Sequence, residues 1–252
     1  MTMKKESRCR KYKEDISIII LVILCVYLVF NFNALEPTIY KVFDIHLGNV
    51  GQYNIVKLTR QFMIVALGSS FFSIIFGLMI GLFCFIEIGK EFKVIVDKLA
   101  TVLRAFPEIA MIYFVIPFLG LGVWPSIVAL TMHGVLPIIF AVTSGIDNID
   151  PMLEKVAKGL GMKEQQILLK VKLPLAVPVI VSGMRVALIS CIGGATLASA
   201  SGGEGLGVLL KAGQDTYNVV LIMECAIIIC LISLIVDKAL RRIESRLRRE
   251  GM

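Results

Sequence analysis

Phe62-Met-Ile-Val-Ala-Leu-Gly-Ser-Ser-Phe-Phe-Ser-Ile-Ile-Phe-Gly-Leu-Met-Ile-Gly-Leu-Phe-Cys-Phe-Ile86 is an unbroken run of 25 residues without a charged side chain. Buried strands also read as apolar runs, but they last only about 4 to 8 residues. A helix crossing the hydrocarbon core needs about 20, within a range of roughly 17 to 25. Residues 62–86 therefore read as a transmembrane helix.

Comparable stretches lie on both sides of it. Ile16 to Phe32 is uncharged, Ala105 to Leu119 and Ser126 to Val142 flank Gly120-Leu-Gly122, and two more run from Leu175 to Ala200 and from Val219 to Val236. The expected fold is an all-α polytopic membrane protein with about six transmembrane helices. Composition agrees. Of 252 residues, 57% are hydrophobic and 18% charged, and the mean hydropathy is +0.85; soluble domains carry about a quarter charged residues. Disorder, a collagenous fibre, a disulfide scaffold and an ordinary cytosolic enzyme are disfavoured.

The formal charge of +7 becomes informative once its carriers are located. Basic residues precede the first run (Lys4 to Lys13) and follow the second (Lys90, Lys93, Lys98), the fourth (Lys155, Lys158, Lys163, Lys170, Lys172) and the sixth (Lys238 to Arg249). These are 20 residues, against Lys41, Lys57, Arg60 and Lys211 in the alternating loops. The asymmetry places both termini and the loop at 143–174 in the cytoplasm of a cell-membrane protein. The basic tail at 241–249 reads as a topology signal with attraction to anionic lipid, rather than as a nucleic-acid site. Asn31, Phe32, Asn33, Ala34 and Leu35 offer no small-x-small cleavage pattern, so the first helix is expected to stay uncleaved.

Enzymatic signatures are missing. The six cysteines form no C-x-x-C pair and mostly fall inside the spans, where they read as small core residues. His46 and His133 stand alone, no G-x-S-x-G occurs, and Gly89-Lys90 lacks the upstream glycine of a P-loop. No metal, cofactor or catalytic residue is expected in this chain.

Asp147-Asn-Ile-Asp150-Pro151-Met-Leu-Glu154-Lys155-Val156-Ala157-Lys158-Gly159-Leu160-Gly161 and Met162-Lys-Glu-Gln-Gln-Ile167-Leu-Leu-Lys170-Val171-Lys172-Leu173-Pro174 form the most informative loop. Asp150-Pro151 is a helix start, with a capping carboxylate followed by proline at the first helical position. Met152, Leu153, Val156 and Leu160 share a face, and Gly159 with Gly161 closes the helix. The pattern predicts two short amphipathic helices joined by a glycine turn. Their apolar faces require either a partner or the lipid interface.

This loop resembles the cytoplasmic signature of ABC importer permeases, Glu-Ala-Ala, three residues, Gly, nine residues, Ile-x-Leu-Pro. The spacing falls on Lys155-Val156-Ala157, Gly161 and Val171-Lys172-Leu173-Pro174. Lys155 stands in place of Glu, with Glu154 one position early, and Val156 in place of Ala. The resemblance implies a coupling loop built on Glu154, Lys155, Val156, Ala157, Leu160, Gly161, Leu173 and Pro174, docked into a separate cytoplasmic ATPase. ATP and Mg2+ would then bind in that partner. It also implies a second permease copy or homologue, and an extracytoplasmic solute-binding protein encoded separately.

Resemblance extends over about residues 62–247, leaving 1–61 as a basic segment, first helix and outer loop, and 248–252 as a tail. Arg104-Ala-Phe-Pro107-Glu108-Ile-Ala110, Ile116-Pro117-Phe-Leu-Gly120-Leu-Gly122, Leu136-Pro137-Ile138, Ile149-Asp150-Pro151 and Gly183-Met-Arg185 are similar to the quaternary-amine uptake branch. So is Gly193-Gly-Ala-Thr196-Leu-Ala-Ser199 continuing to Gly202-Gly203-Glu204-Gly205-Leu206-Gly207, although Glu204 departs from that branch's Gly-x-Gly-Gly-Leu-Gly. Betaine, choline or carnitine is the implied cargo. An amino acid such as methionine is the nearest alternative, and a non-transporting membrane anchor or assembly protein is the alternative of another class.

Charged residues within the spans are further candidates, because ionisable groups at membrane depth usually face a cavity or one another. Arg104 and Glu108 are four apart and are expected to pair on one helical face, either snorkelling or gating. Arg185 reads equally as path-lining or as a structural partner, and Glu224 as interfacial. Ser69, Ser73, Gly77 and Gly81, and likewise Ser190, Gly194 and Ala198, recur every four residues, a spacing that lets helices approach closely. Ile192 to Gly207 is the candidate path and outer gate, through Gly194, Thr196, Ser199, Gly203, Glu204 and Gly205. A lone Trp124 and no aromatic cage spacing leave solute selectivity to the external protein.

Overall fold

The computed structural model describes residues 2–31, 53–86, 89 and 91–250, with the backbone alone for 2–15 and 246–250. Lys41, His46 and Lys90, and the side chains of Cys9, Lys4 to Lys13 and Arg246 to Arg249, lie outside the described residues.

Every regular element among the described residues is helical. In chain order they are α1 (Thr2–Phe30), α2 (Ile55–Phe83), α3 (Lys93–Arg104), α4 (Glu108–Leu119), α5 (Val123–Asp147), α6 (Pro151–Gly159), α7 (Glu164–Ile167), α8 (Leu173–Gly194), α9 (Leu206–Asp215) and α10 (Val219–Glu250). A π turn (Leu168–Lys172) joins α7 to α8, and a 3-10 turn (Ala195–Ser201) extends α8. Among the described residues, four stretches are long and apolar enough to cross a membrane: α2, α5, Glu164–Ser201 and Val219–Ser245. They become five if α3 and α4 count as one bent span, and Ile16–Phe30 is a shorter apolar helix.

The third expected span is not straight. Axes of α3 and α4 meet at 103°, because Pro107 pushes Phe106 out of the helical region and itself takes an extended ψ of 136°. Helix α3 buries none of its residues. Arg104 thus ends one helix and Glu108 begins another, and the expected pairing on a single face does not form.

Helix α5 is the centre of the bundle, packed between α2 and α8. The small-residue stripe on α2 makes that approach possible: a Cβ on Gly77 would stand 2.7 Å from Ile138 Cβ, and one on Gly81 2.8 Å from Val142 Cβ. The stripe therefore packs against α5 within this chain. Its serines turn inward too, Ser73 donating to the carbonyls of Ser69 (2.7 Å) and Thr131 (3.1 Å). Phe62, Leu130, Ile192, Leu206 and Ile228 fill the core on the other side. Lys238 of α10 donates to Ser17 of α1. Glu224, expected at an interface, is 1% exposed within α10.

Candidate functional site

At one end of the bundle α6 stands out from the spans. Asp150 accepts from the Met152 N–H at 2.8 Å, Pro151 opens the helix, and Gly161 closes it at φ +79°. Two reversed bonds complete the ending, Gly161 N–H to Lys158 O (3.0 Å) and Met162 N–H to Ala157 O (3.1 Å). Gly159 lies inside the helix, so the stop signal resides in Gly161. A glycine there avoids the cost that a Cβ brings to left-handed backbone. Ala157 is 3% exposed against the body, whereas Met152, Leu153, Val156 and Leu160 (77%) face outward.

The second helix of the loop is shorter than expected. After Lys163, whose N–H donates to Gln166 Oε1 (3.0 Å), four residues of α7 run directly into the π turn and α8. Pro174 accounts for the widened turn. It has no N–H for the carbonyl of Lys170 and its ring crowds that carbonyl, so the ladder opens by one residue. Leu173-Pro174 thereby fuses the loop to the base of a span.

Glu154 fixes α6 to that base. Its carboxylate meets Lys158 Nζ at 2.8 Å and Lys172 Nζ at 2.6 Å. The bonds from Lys158 first and Lys172 second pull its pKa down to about 2. Lys155, at the motif's Glu position, is exposed. The carboxylate one place early is thus spent internally, and a cation faces outward instead.

The second constellation surrounds the α3–α4 bend. Glu108 Oε1 lies 3.2 Å from His133 Nε2, and a Cβ on Gly194 would meet Leu130 at 2.2 Å and Glu108 Oε2 at 3.0 Å. Arg104 rests on the Phe140 ring, 5.1 Å from its centroid. It also lines a cleft of about 480 Å³ between α5 and α8. Arg185 takes the pairing alternative, reaching Glu244 (2.9 Å) and Asp237 (3.8 Å) on α10.

The third lies at the opposite end of α8. The 3-10 turn closes with Gly203 N–H donating to Ala198 O (3.0 Å) and Gly202 N–H to Ser199 O (3.2 Å). Thr196 Oγ1 donates back to Gly193 O (2.7 Å). Ser201 links this turn to the α4–α5 connection, donating to Gly122 O (2.9 Å) and meeting Ser126 Oγ (2.7 Å). Glu204 pairs with Lys57 on α2 at 2.9 Å, and a Cβ on Gly205 would approach the Phe62 backbone at 3.5 Å.

Sequence reasoning missed His133, Lys57, Lys172 and Phe140 as partners of residues it did single out. Only Lys158, four residues beyond Glu154, was legible as a helical neighbour; the other partners come from distant segments.

Residues 73–249 match the family described as binding-protein-dependent transport system inner membrane component. The carnitine transport permease protein OpuCB of Listeria monocytogenes is 32% identical over 197 residues, covering 77% of this chain and 88% of that protein. The choline transport system permease protein OpuBB of Bacillus subtilis is 37% identical over 154 residues, 61% of this chain and 71% of that protein. Among solved structures, an inward-facing MetNI methionine ABC transporter superposes with a TM-score of 0.69 at 23% identity, covering 76% of this chain and 95% of that one. That last likeness bears on the fold alone.

Proposed function

The chain belongs to the family of inner membrane components of binding-protein-dependent transport systems and is a multi-pass permease of the ABC importer type, and from that premise we propose that it imports a quaternary-amine osmoprotectant such as betaine, choline or carnitine. Six crossings are read from the four long apolar stretches, the bent α3–α4 pair and Ile16–Phe30. Six crossings and the basic-residue asymmetry together support a cytoplasmic position for both termini and the loop at 147–174.

One observation carries the coupling reading. The apolar face of Met152, Leu153, Val156 and Leu160 is exposed on a helix that Glu154 ties to the base of α8. Such a face suits the groove of a partner ATPase, which would bind ATP and Mg2+. Glu154, Lys155, Val156, Ala157, Leu160, Gly161 and Leu173-Pro174 form the coupling loop. A second permease copy or homologue completes the pore, and an extracytoplasmic binding protein delivers the solute. The path runs past Arg104, Glu108, Gly194, Thr196, Ser199 and Gly203 to Gly205. Arg185, spent on α10, holds α8 in place.

The substrate class rests on relatives named for carnitine and choline transport. Methionine is the second reading. Uptake of labelled betaine, choline, carnitine and methionine by the complex reconstituted with its ATPase and binding protein decides between them. Uptake of methionine alone overturns the osmoprotectant reading. No uptake together with no ATPase association favours the anchor alternative.

A further inference from the structure

The cleft between α5 and α8 has a composition that the coupling reading does not use. Its volume, about 480 Å³, lies within the range of roughly 300 to 1,000 Å³ typical of small-molecule sites. Polar groups on its wall come from Arg104, His133, Ser144, Ser182 and Ser190, and no aspartate or glutamate lines it. The nearby carboxylate of Glu108 is engaged by His133. Among the described residues no carboxylate lies within ion-pair distance of Arg104, whose guanidinium is held instead on the face of Phe140. Stacking on a ring leaves the N–H donors at the rim of the guanidinium available.

The serines point the same way. Within the bundle Ser69, Ser70, Ser73 and Ser144 all donate to a carbonyl one turn back. Ser182 and Ser190 make no hydrogen bond among the described residues, so both hydroxyls remain free to donate into the cleft they line. Leu136, Val179 and Val186 supply an apolar wall beside these donors. Arg104 is exposed to this cleft and has no counter-charge beside it among the described residues, so an anion entering the cleft can pair with it.

We propose that this cleft receives the carboxylate of a zwitterionic solute at Arg104, with the methyl-rich ammonium end against the apolar wall. The inference rests on the quaternary-amine reading above and narrows it: betaine and carnitine carry a carboxylate, and choline does not. A lipid phosphate offers related anionic chemistry, so the test separates the two sources.

The test uses the complete complex, with ATPase and binding protein, in proteoliposomes of neutral lipid and of lipid containing anionic phospholipid. Uptake of betaine, carnitine and choline is measured for the native permease, Arg104→Gln and Arg104→Lys, with assembly followed by size exclusion. Loss of one charge-assisted pair predicts about a tenfold fall in betaine and carnitine uptake for Arg104→Gln, with choline within twofold of native and partial recovery in Arg104→Lys. Equal loss for all three solutes, no loss for any, or a defect seen only with anionic lipid overturns the proposal. Native uptake of choline alone refutes the carboxylate site and leaves the osmoprotectant reading standing, whereas native uptake of none of the three removes both.

Discussion

Glu154→Gln isolates the link between the cytoplasmic loop and the spans. The carboxylate is bonded by Lys158 and Lys172, and its pKa falls from 4.5 to about 2. At about 1.4 kcal/mol per tenfold change, that drop bounds the two interactions at roughly 3 kcal/mol. Solvent reduces the figure: the Glu154 side chain is 33% exposed and Lys158 50%, against 25% for Lys172. With screening at the exposed partner, about 1–2 kcal/mol remains, most of it in the pair with Lys172. Hydrogen exchange is the direct assay. Amides of 151–161 in Glu154→Gln should exchange about tenfold faster at pH 7, while α5 is unchanged. Lys172→Met should reproduce the effect, and the double substitution should add little, because the two residues share one interaction. Acid offers an independent route. The folded carboxylate has the depressed pKa, so the clamp is fully formed above about 4.5 and is lost as the pH falls towards about 2. Unchanged exchange at 151–161 in Glu154→Gln, or equal acceleration throughout the bundle, refutes the clamp.

Three further substitutions test other parts of the argument. Gly161→Val forces a β-branched residue to φ +79° at a cost of about 1–3 kcal/mol, and should weaken ATPase co-purification while leaving the spans folded. Leu160→Asp alters a side chain that is 77% exposed, so the melting temperature of the isolated permease should hold while ATPase-dependent uptake falls; intact uptake would count against docking on this face. Gly77→Leu drives a side chain into Ile138, whose Cβ lies only 2.7 Å from the site of the new Cβ, and should lower thermal stability by several degrees or prevent assembly.

What the sequence made legible was whatever repeats at helical spacing or sits at a chain terminus of a helix. Uncharged runs marked the spans, Asp150-Pro151 marked the start of α6, and Gly161 marked its end. Helical spacing misled at Arg104 and Glu108, where Pro107 breaks the helix between residues that would otherwise share a face. It also could not anticipate that Pro174 widens a turn within a continuous helix, which fuses the second amphipathic segment to α8. Glu224, read as interfacial from its place near the end of an apolar run, is also buried among neighbouring helices, which that place did not signal. Partners such as His133 for Glu108 or Lys57 for Glu204 are set by how helices pack, and no local pattern encodes that.

Continuity of α7, the π turn, α8 and the 3-10 turn gives the proposed coupling a physical basis. Residues Glu164–Ser201 form one 38-residue run, at about 1.5 Å per residue long enough to exceed a hydrocarbon core of about 30 Å. Glu154 grips its lower end through Lys172. Gly194 packs against Glu108 at the α3–α4 bend, and Ser201 bonds Gly122 at the top. In the proposed coupling, a displacement of α6 would reach the bend and the upper connection through this one run, which is interrupted at the π turn, at Pro178 and at the 3-10 turn. The π turn lies nearest the loop, so it is the first place at which motion of the loop would be passed on or absorbed. The second contact of the Glu154 clamp, to Lys172 at the end of the π turn, ties the loop to that irregular segment from outside while the carboxylate is charged, which in the proposed coupling would favour transmission.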